Sequence, residues 1–189
     1  KEIAKKCNAI FLNQGGSDPF ALTKKIILAL EPLKLEQEVI VAVGPAVSGE
    51  HATELKNLQK KLKNNYRFEW SAPQEKMHEL MIGCDIAITA AGNTLYELAA
   101  LGMPCITICH HERHDEVARL FAKNGAAVNL GVGVGLDEKK IAQTVEMLAN
   151  SYEKRLALSR NIRKITDGGG CERIVDETIK RWKELRERA

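Results

Sequence analysis

Asp85-Ile86-Ala87-Ile88-Thr89-Ala90-Ala91-Gly92-Asn93-Thr94-Leu95-Tyr96-Glu97-Leu98-Ala99-Ala100-Leu101-Gly102-Met103-Pro104-Cys105-Ile106-Thr107-Ile108-Cys109 decides the fold. Two short β-rich runs, Asp85–Thr89 and Cys105–Cys109, enclose one helical segment. Small residues and Gly92 break the first run. The helix continues through Glu97 to Leu101, and Gly102-Met103-Pro104 ends it. The second run is nearly all apolar, which predicts a strand buried on both faces. A strand, a crossover helix and a second buried strand make one unit of a parallel sheet.

The pattern repeats in both directions. Asn8–Leu12, Glu38–Val43, Tyr66–Trp70 and Ala126–Leu130 read as four more strands. Helical spacing is predicted over Phe20–Leu30, His51–Asn64, Gln74–Ile82 and Asp115–Lys123, with Phe20 available to the buried face of the first. Two further helices are expected near Asp137–Asn150 and Glu153–Ile165, and a last one over Glu172–Arg186. The fold class is therefore α/β: one Rossmann-like domain, residues 1–189, with a six-stranded parallel sheet covered by helices on both faces.

Composition excludes several functions. The chain has 189 residues, of which 44% are hydrophobic, enough for a packed core. Its 28 Lys+Arg and 25 Asp+Glu leave a net charge of only +3, with mixed signs and no electrostatic footprint for nucleic acid. Aromatic residues make up 5%, too few for a base-stacking platform. No apolar run reaches the ~18 residues of a membrane span, and the charged start, Lys1–Lys6, does not read as a signal peptide. The five cysteines are odd in number and scattered through apolar stretches, as expected of reduced thiols in a cytoplasmic protein. The chain starts at Lys1 without methionine and reaches a strand almost at once, a hint that it is cut from a longer protein.

In open α/β sheets, ligands bind beyond the carboxyl ends of the strands. Three strand-end loops are unusual. Gly15-Gly16-Ser17-Asp18-Pro19 lets backbone approach a ligand, and Ser17 or Asp18 can cap a helix starting near Pro19. It reads either as a phosphate- or sugar-contacting loop or as an ordinary tight turn. Ala91, Gly92, Asn93 and Thr94 open a helix whose free amides and dipole form an anion site able to hold a diphosphate without a metal. Glu97, one turn in, can accept hydrogen bonds from two ribose hydroxyls; equally, it is a first-turn carboxylate favoured by the dipole. The third loop, His110–Glu116, carries three histidines. Its spacing fits no common zinc pattern, and Cys105 and Cys109 sit in an apolar strand, so substrate contact or a solvated capping loop is the better reading. No Ser-His-Asp ordering is present.

The Gly15–Pro19 loop, the Ile86–Pro104 block and Gly125-Ala126-Ala127 together resemble the C-terminal half of a GT-B protein. The resemblance is nearest to the UDP-sugar hydrolase of pseudaminic acid synthesis and its spore-coat-polysaccharide homologues. More distantly it extends to the peptidoglycan N-acetylglucosaminyltransferase that makes lipid II. It runs from about Asn8 to the final helix, and Asp167–Arg173 also resembles the end of the hydrolase family.

The resemblance implies a set of roles. Gly15, Gly16, Ser17 and Asp18 would face phosphates and sugar across a cleft to an N-terminal GT-B half. Ala72, Gln74 and Met77 would lie against uracil, and Ala91, Gly92, Asn93 and Thr94 would hold the diphosphate. Glu97 matches the ribose-binding acid. His111, Glu112, Arg113 and His114 would reach the sugar, although Arg113 and His114 stand where the family commonly has Asn-Gln. The catalytic His of the hydrolase lies in the other half, so no residue here inherits that role, and no cofactor or metal is expected. The leading expectation is the UDP-sugar-binding domain of a hydrolase that releases UDP in polysaccharide or nonulosonic acid synthesis. The alternatives are the donor-binding domain of an inverting glycosyltransferase and a non-catalytic binding module. Alone, the chain is expected to bind UDP or a UDP-sugar with little catalysis.

Overall fold

A computed structural model describes residues 2–187. Six strands form one parallel sheet: β1 (Ala9–Asn13), β2 (Glu38–Val43), β3 (Tyr66–Trp70), β4 (Ile86–Thr89), β5 (Cys105–Cys109) and β6 (Ala127–Val132). Their spatial order is β3-β2-β1-β4-β5-β6, the doubly wound arrangement. Every described pairing is parallel, for example Phe11 beside Ile40 on one side and Ala87 on the other. The chain reverses direction across the sheet between β1 and β4, so the crevice at their carboxyl ends is the topological switch point.

The helices are α1 (Leu22–Leu30), α2 (Gly49–Gln59), α3 (Gln74–Gly83), α4 (Asn93–Leu101), α5 (Glu112–Lys123), α6 (Glu138–Ala149), α7 (Tyr152–Ile162) and α8 (Gly170–Glu187). Alternation along the strands divides the core into two layers. Ile10, Leu12, Val39, Val41, Ile86 and Ile88 meet Leu22, Ile26 and Leu30 of α1 and Ile141 and Val145 of α6. Phe11, Ile40, Ala87 and Cys105 face the other way, onto Leu80 of α3, Leu95 and Leu98 of α4, and Phe121 of α5. The central strands β1, β4 and β5 are buried at every position, which explains their unbroken apolar runs.

Several boundaries differ from the sequence reading. α1 starts at Leu22, not near Pro19, because Asp18 and Ala21 take left-handed backbone at φ 41° and 51°. Phe20 therefore lies outside the helix, 49% exposed, rather than in the core. α2 begins earlier, at Gly49 behind a Ser48 cap, and ends at Gln59, so Asn64 is not helical. α5 begins at Glu112, three residues before the expected start at Asp115. β6 extends through Gly131 to Val132, where the register against β5 shifts.

The segment before β1 is tied down by a charge inside the fold. The Arg155 side chain is fully buried and donates to the Leu148 and Ala149 carbonyls that close α6, at 2.7 and 2.8 Å. It also donates to Ala4 and Lys5 at 3.0 and 2.9 Å. The negative end of a helix dipole and four carbonyls stand in for a carboxylate partner.

Candidate functional site

The loop after β1 is shaped by its neighbours. Asn13 donates to the Ala42 carbonyl at 2.9 Å and accepts from the Gly15 amide at 3.1 Å, which turns the chain out of the strand. Gly15 adopts φ +76°, open to glycine at little cost. Gly16 accepts from the Ala46 amide at 2.9 Å, so the segment after β2 supports the turn from behind. A Cβ at Gly44 would collide with the carbonyl oxygens of Gly15 and Gly16, and the approach of these two backbones requires glycine.

Across the switch point, α4 starts at Asn93 behind Gly92, with no side chain capping it. The Leu95 amide returns to the Gly92 carbonyl at 3.0 Å. The amides of Asn93 and Thr94 open the helix with its positive dipole end toward the crevice.

Between these loops lies a cavity of about 310 Å³. Gln14, Gly15, Gly16 and Ser17 line one side, Thr89, Ala90, Gly92, Asn93 and Thr94 a second, and His110 and His114 a third. Its polar groups are poorly satisfied. Gln14 is 1% exposed, and neither atom of its side-chain amide has a partner. The Nε2 atom of His110 and Nδ1 of His114 are also buried without one. Unpartnered buried polar atoms are costly, and four of them belong to residues that line this one cavity.

A second cavity, about 580 Å³, lies on the other side of α4. Ala72, Met77 and Met81 form its apolar wall, with Gln74 and His78 beside them, opposite Thr94 and Glu97. A smaller space bordered by Gly15, Gly16, Gly44, Ala72, Met77 and Thr94 adjoins both. The result is a trench that passes the amino end of α4, with small backbone-rich walls at one end and an apolar wall at the other.

Burial pushes the His110 imidazole below its ordinary range; the nearby Asp18 carboxylate opposes this and His111 adds to it. His114 is lowered for the same first reason, with His111 and His110 adding repulsion. Both rings are therefore neutral near pH ~7. Burial also raises the Cys105 thiol, and raises that of Cys109, beside Asp115, to about 12. Neither is a nucleophile in this state. Among the described residues, no group of three His, Cys, Asp or Glu side chains is arranged to hold a metal ion.

Most of the residues singled out from the sequence meet here: Gly15, Gly16, Ser17, Gly92, Asn93, Thr94 and His114 in one cavity, and Ala72, Gln74, Met77, Thr94 and Glu97 in the other. Others do not line either cavity. Asp18 turns away, accepting from the Leu22 and Thr23 amides at 2.8 and 2.9 Å. Ala91 is packed into the core. His111, Glu112 and Arg113 are exposed on the first turn of α5, because that helix starts earlier than the sequence suggested. Gln14 is not among the residues the sequence singled out, and His110 entered only as part of the His110–Glu116 loop. Their signal was position: each is the first polar residue after an apolar strand at the switch-point end of the sheet.

The glycosyltransferase family 28 C-terminal domain matches residues 11–168. The chain belongs to this family. The spore coat polysaccharide biosynthesis protein SpsG of Bacillus subtilis (strain 168) is 28% identical to this family 28 domain over 175 residues, 92% of the chain and 50% of SpsG. Acinetobacter baumannii MurG superposes with a TM-score of 0.73 at 18% identity, over 95% of this chain and 54% of that one. The spinosyn rhamnosyltransferase SpnG complexed with thymidine diphosphate gives a TM-score of 0.63 at 20% identity, over 85% of this chain and 42% of that one. The structural likenesses establish the fold as that of the C-terminal half of GT-B glycosyltransferases. The domain spans about half the length of SpsG and MurG. The family match favours the glycosyltransferase reading over the hydrolase expectation.

Proposed function

We propose that this domain is the donor-binding half of a glycosyltransferase that uses a nucleoside diphosphate sugar in polysaccharide synthesis. One observation carries the reading: the uncapped amino end of α4 faces the Gly15–Gly16 turn across a cavity whose buried polar atoms lack partners. A diphosphate seated there would receive the Asn93 and Thr94 amides and the Gln14 amide N–H. Glu97 borders the apolar cavity, one helical turn on, where it would accept from the ribose hydroxyls while Ala72 and Met77 cover the base. The sugar would point toward His110 and His114.

In transfer, negative charge grows on the departing diphosphate. Fixed amides and a helix dipole need no reorganisation to stabilise it, the arrangement in which such groups act most strongly. The acceptor and the residue that activates it would come from an N-terminal half, so the domain alone would bind without turning over.

Calorimetric titration of the folded chain with UDP, thymidine diphosphate and inorganic pyrophosphate tests this. Micromolar-to-millimolar binding of a nucleoside diphosphate is expected. Glu97→Ala should weaken nucleoside diphosphates at least ~10-fold, the loss of about 1.5 kcal/mol from a charge-assisted hydrogen bond, and leave pyrophosphate unchanged. Absence of binding by a correctly folded chain overturns the proposal; equal losses for both ligands overturn the ribose role.

A further inference from the structure

The cavity at the amino end of α4 is lined without a lysine or an arginine. A doubly negative ligand would meet only dipoles there, apart from two side chains that can acquire positive charge, His110 and His114. Both residues line the cavity, each has one buried ring nitrogen without a hydrogen-bond partner, and their ring centroids are 5.8 Å apart. We infer that His110 and His114 form a protonation-gated grip on the diphosphate of the donor, so that binding takes up protons and tightens as the pH falls. This rests on the donor-binding reading and adds a pH response to that site.

The surroundings fix the direction. From the loop after β1, Asp18 Oδ1 stands 3.9 Å from His110 Nε2. That carboxylate already accepts two amides of α1, so it favours an imidazolium without saturating it. Phe20 packs edge-on against the His110 ring with centroids 6.1 Å apart. On α5, His111 lies 4.0 Å from His114, ring to ring, and opposes a second charge. Of the other charged groups at this end of α5, Arg119 pairs with Glu112 and Asp115, Asn129 donates to Asp115 at 2.6 Å, and Arg113 and Glu116 are exposed to solvent. α4 faces the cavity with uncharged Asn93 and Thr94. The protein's own surroundings therefore disfavour imidazolium, and a bound dianion would reverse the balance. Where binding raises a group's proton affinity, the affinity for the ligand rises as the pH falls, by at most ~10-fold per pH unit for each proton taken up.

The test titrates the folded chain with UDP-N-acetylglucosamine from pH ~7.5 to ~5.5. The doubly substituted diphosphate of that probe lacks the ionisation near pH ~6 that a terminal phosphate would add. The expected result is a dissociation constant at least ~5-fold lower at the acid end, with proton uptake visible as a dependence of the binding heat on the buffer. His110→Gln and His114→Gln, singly and together, should flatten the profile, read as the ratio of each variant's own dissociation constants at pH ~7.5 and ~5.5. A dissociation constant that is flat or rises toward acid in the unaltered chain overturns the inference and leaves donor binding standing. A pH response that survives in the double variant overturns it as well. No binding at any pH, with circular dichroism showing the fold intact, overturns both readings.

Discussion

Asp18 holds Leu22 in place: its carboxylate accepts the Leu22 amide at 2.8 Å and, through its second oxygen, the Thr23 amide at 2.9 Å. Of the two roles the sequence offered Asp18, ligand contact and helix cap, the structure shows it opening α1. The left-handed backbone at Asp18 and Ala21 delays the helix, and the carboxylate reaches forward to receive the amides this leaves unpaired. Asp18→Ala should cost about 2 kcal/mol, since both amides would lose a charged acceptor inside the fold. Asp18→Asn keeps one acceptor and should lose about half as much. Urea denaturation midpoints of the three proteins check the order.

Two glycines make opposite predictions. At Gly92 a Cβ would meet open space, and the backbone is not left-handed, so Gly92→Ala should change stability by less than ~0.5 kcal/mol. The added methyl would stand in the cavity and should weaken UDP binding at least several-fold. At Gly44 the Cβ would strike the carbonyl oxygens of Gly15 and Gly16. Gly44→Ala should lower stability by about 1–3 kcal/mol and displace the turn, so both folding and binding suffer. Paired denaturation and calorimetry on the two variants separate the roles.

Arg155 offers a test of the buried clamp. Arg155→Met fills much of the same space yet leaves four carbonyls without their donor, with a cost of about 3 kcal/mol or more. Arg155→Lys keeps the charge but not the fork, and should fall between. If the Met variant unfolds at the same urea concentration as the parent, the clamp contributes nothing net.

The cysteines should divide by burial. Cys171 is exposed on α8, whereas Cys105 and Cys109 are buried with thiols pushed upward. Iodoacetamide at pH ~8 should alkylate Cys171 in the native chain and reach Cys105 and Cys109 only on unfolding. Peptide mass mapping reads this directly.

The strands and the switch-point loops were legible because their signals are local. The short, β-branched run Cys105–Cys109, bounded by Gly102-Met103-Pro104 and a polar loop, reads as an interior strand, and Gly15-Gly16 and Gly92 mark turns. What stayed hidden depended on geometry between distant segments. Gln14 and His110 become neighbours only once β1 and β5 are placed on either side of β4. Whether Asp18 turns to the cavity or to α1 follows from two left-handed residues that composition does not announce. The start of α5 was misplaced because His111–Asp115 is polar, and a polar first turn looks like a loop when its buried contacts, Asp115 and His114, are few.

The free chain should itself respond to acid through the cavity histidines. The His110 and His114 rings are held below their ordinary range in the fold, chiefly by burial. In the unfolded chain they titrate near pH ~6.5. Below that point the unfolded state binds more protons than the folded one, so stability is complete above ~6.5 and declines as the pH drops through it. The carboxylates held low in the fold act in a different window. Asp167, lowered to about 2 mainly by Arg173, and Glu54, lowered by Lys24, lose their contribution only in more acidic solution, below their ordinary range. A decline that begins between pH ~6.5 and ~5 therefore reports the imidazoles. Thermal melts of the ligand-free chain across this window should show a falling midpoint. The His110→Gln, His114→Gln double variant should remain level over the same range. A midpoint that is constant in the parent, or that falls equally in the variant, would show that these two rings are not held neutral by the fold.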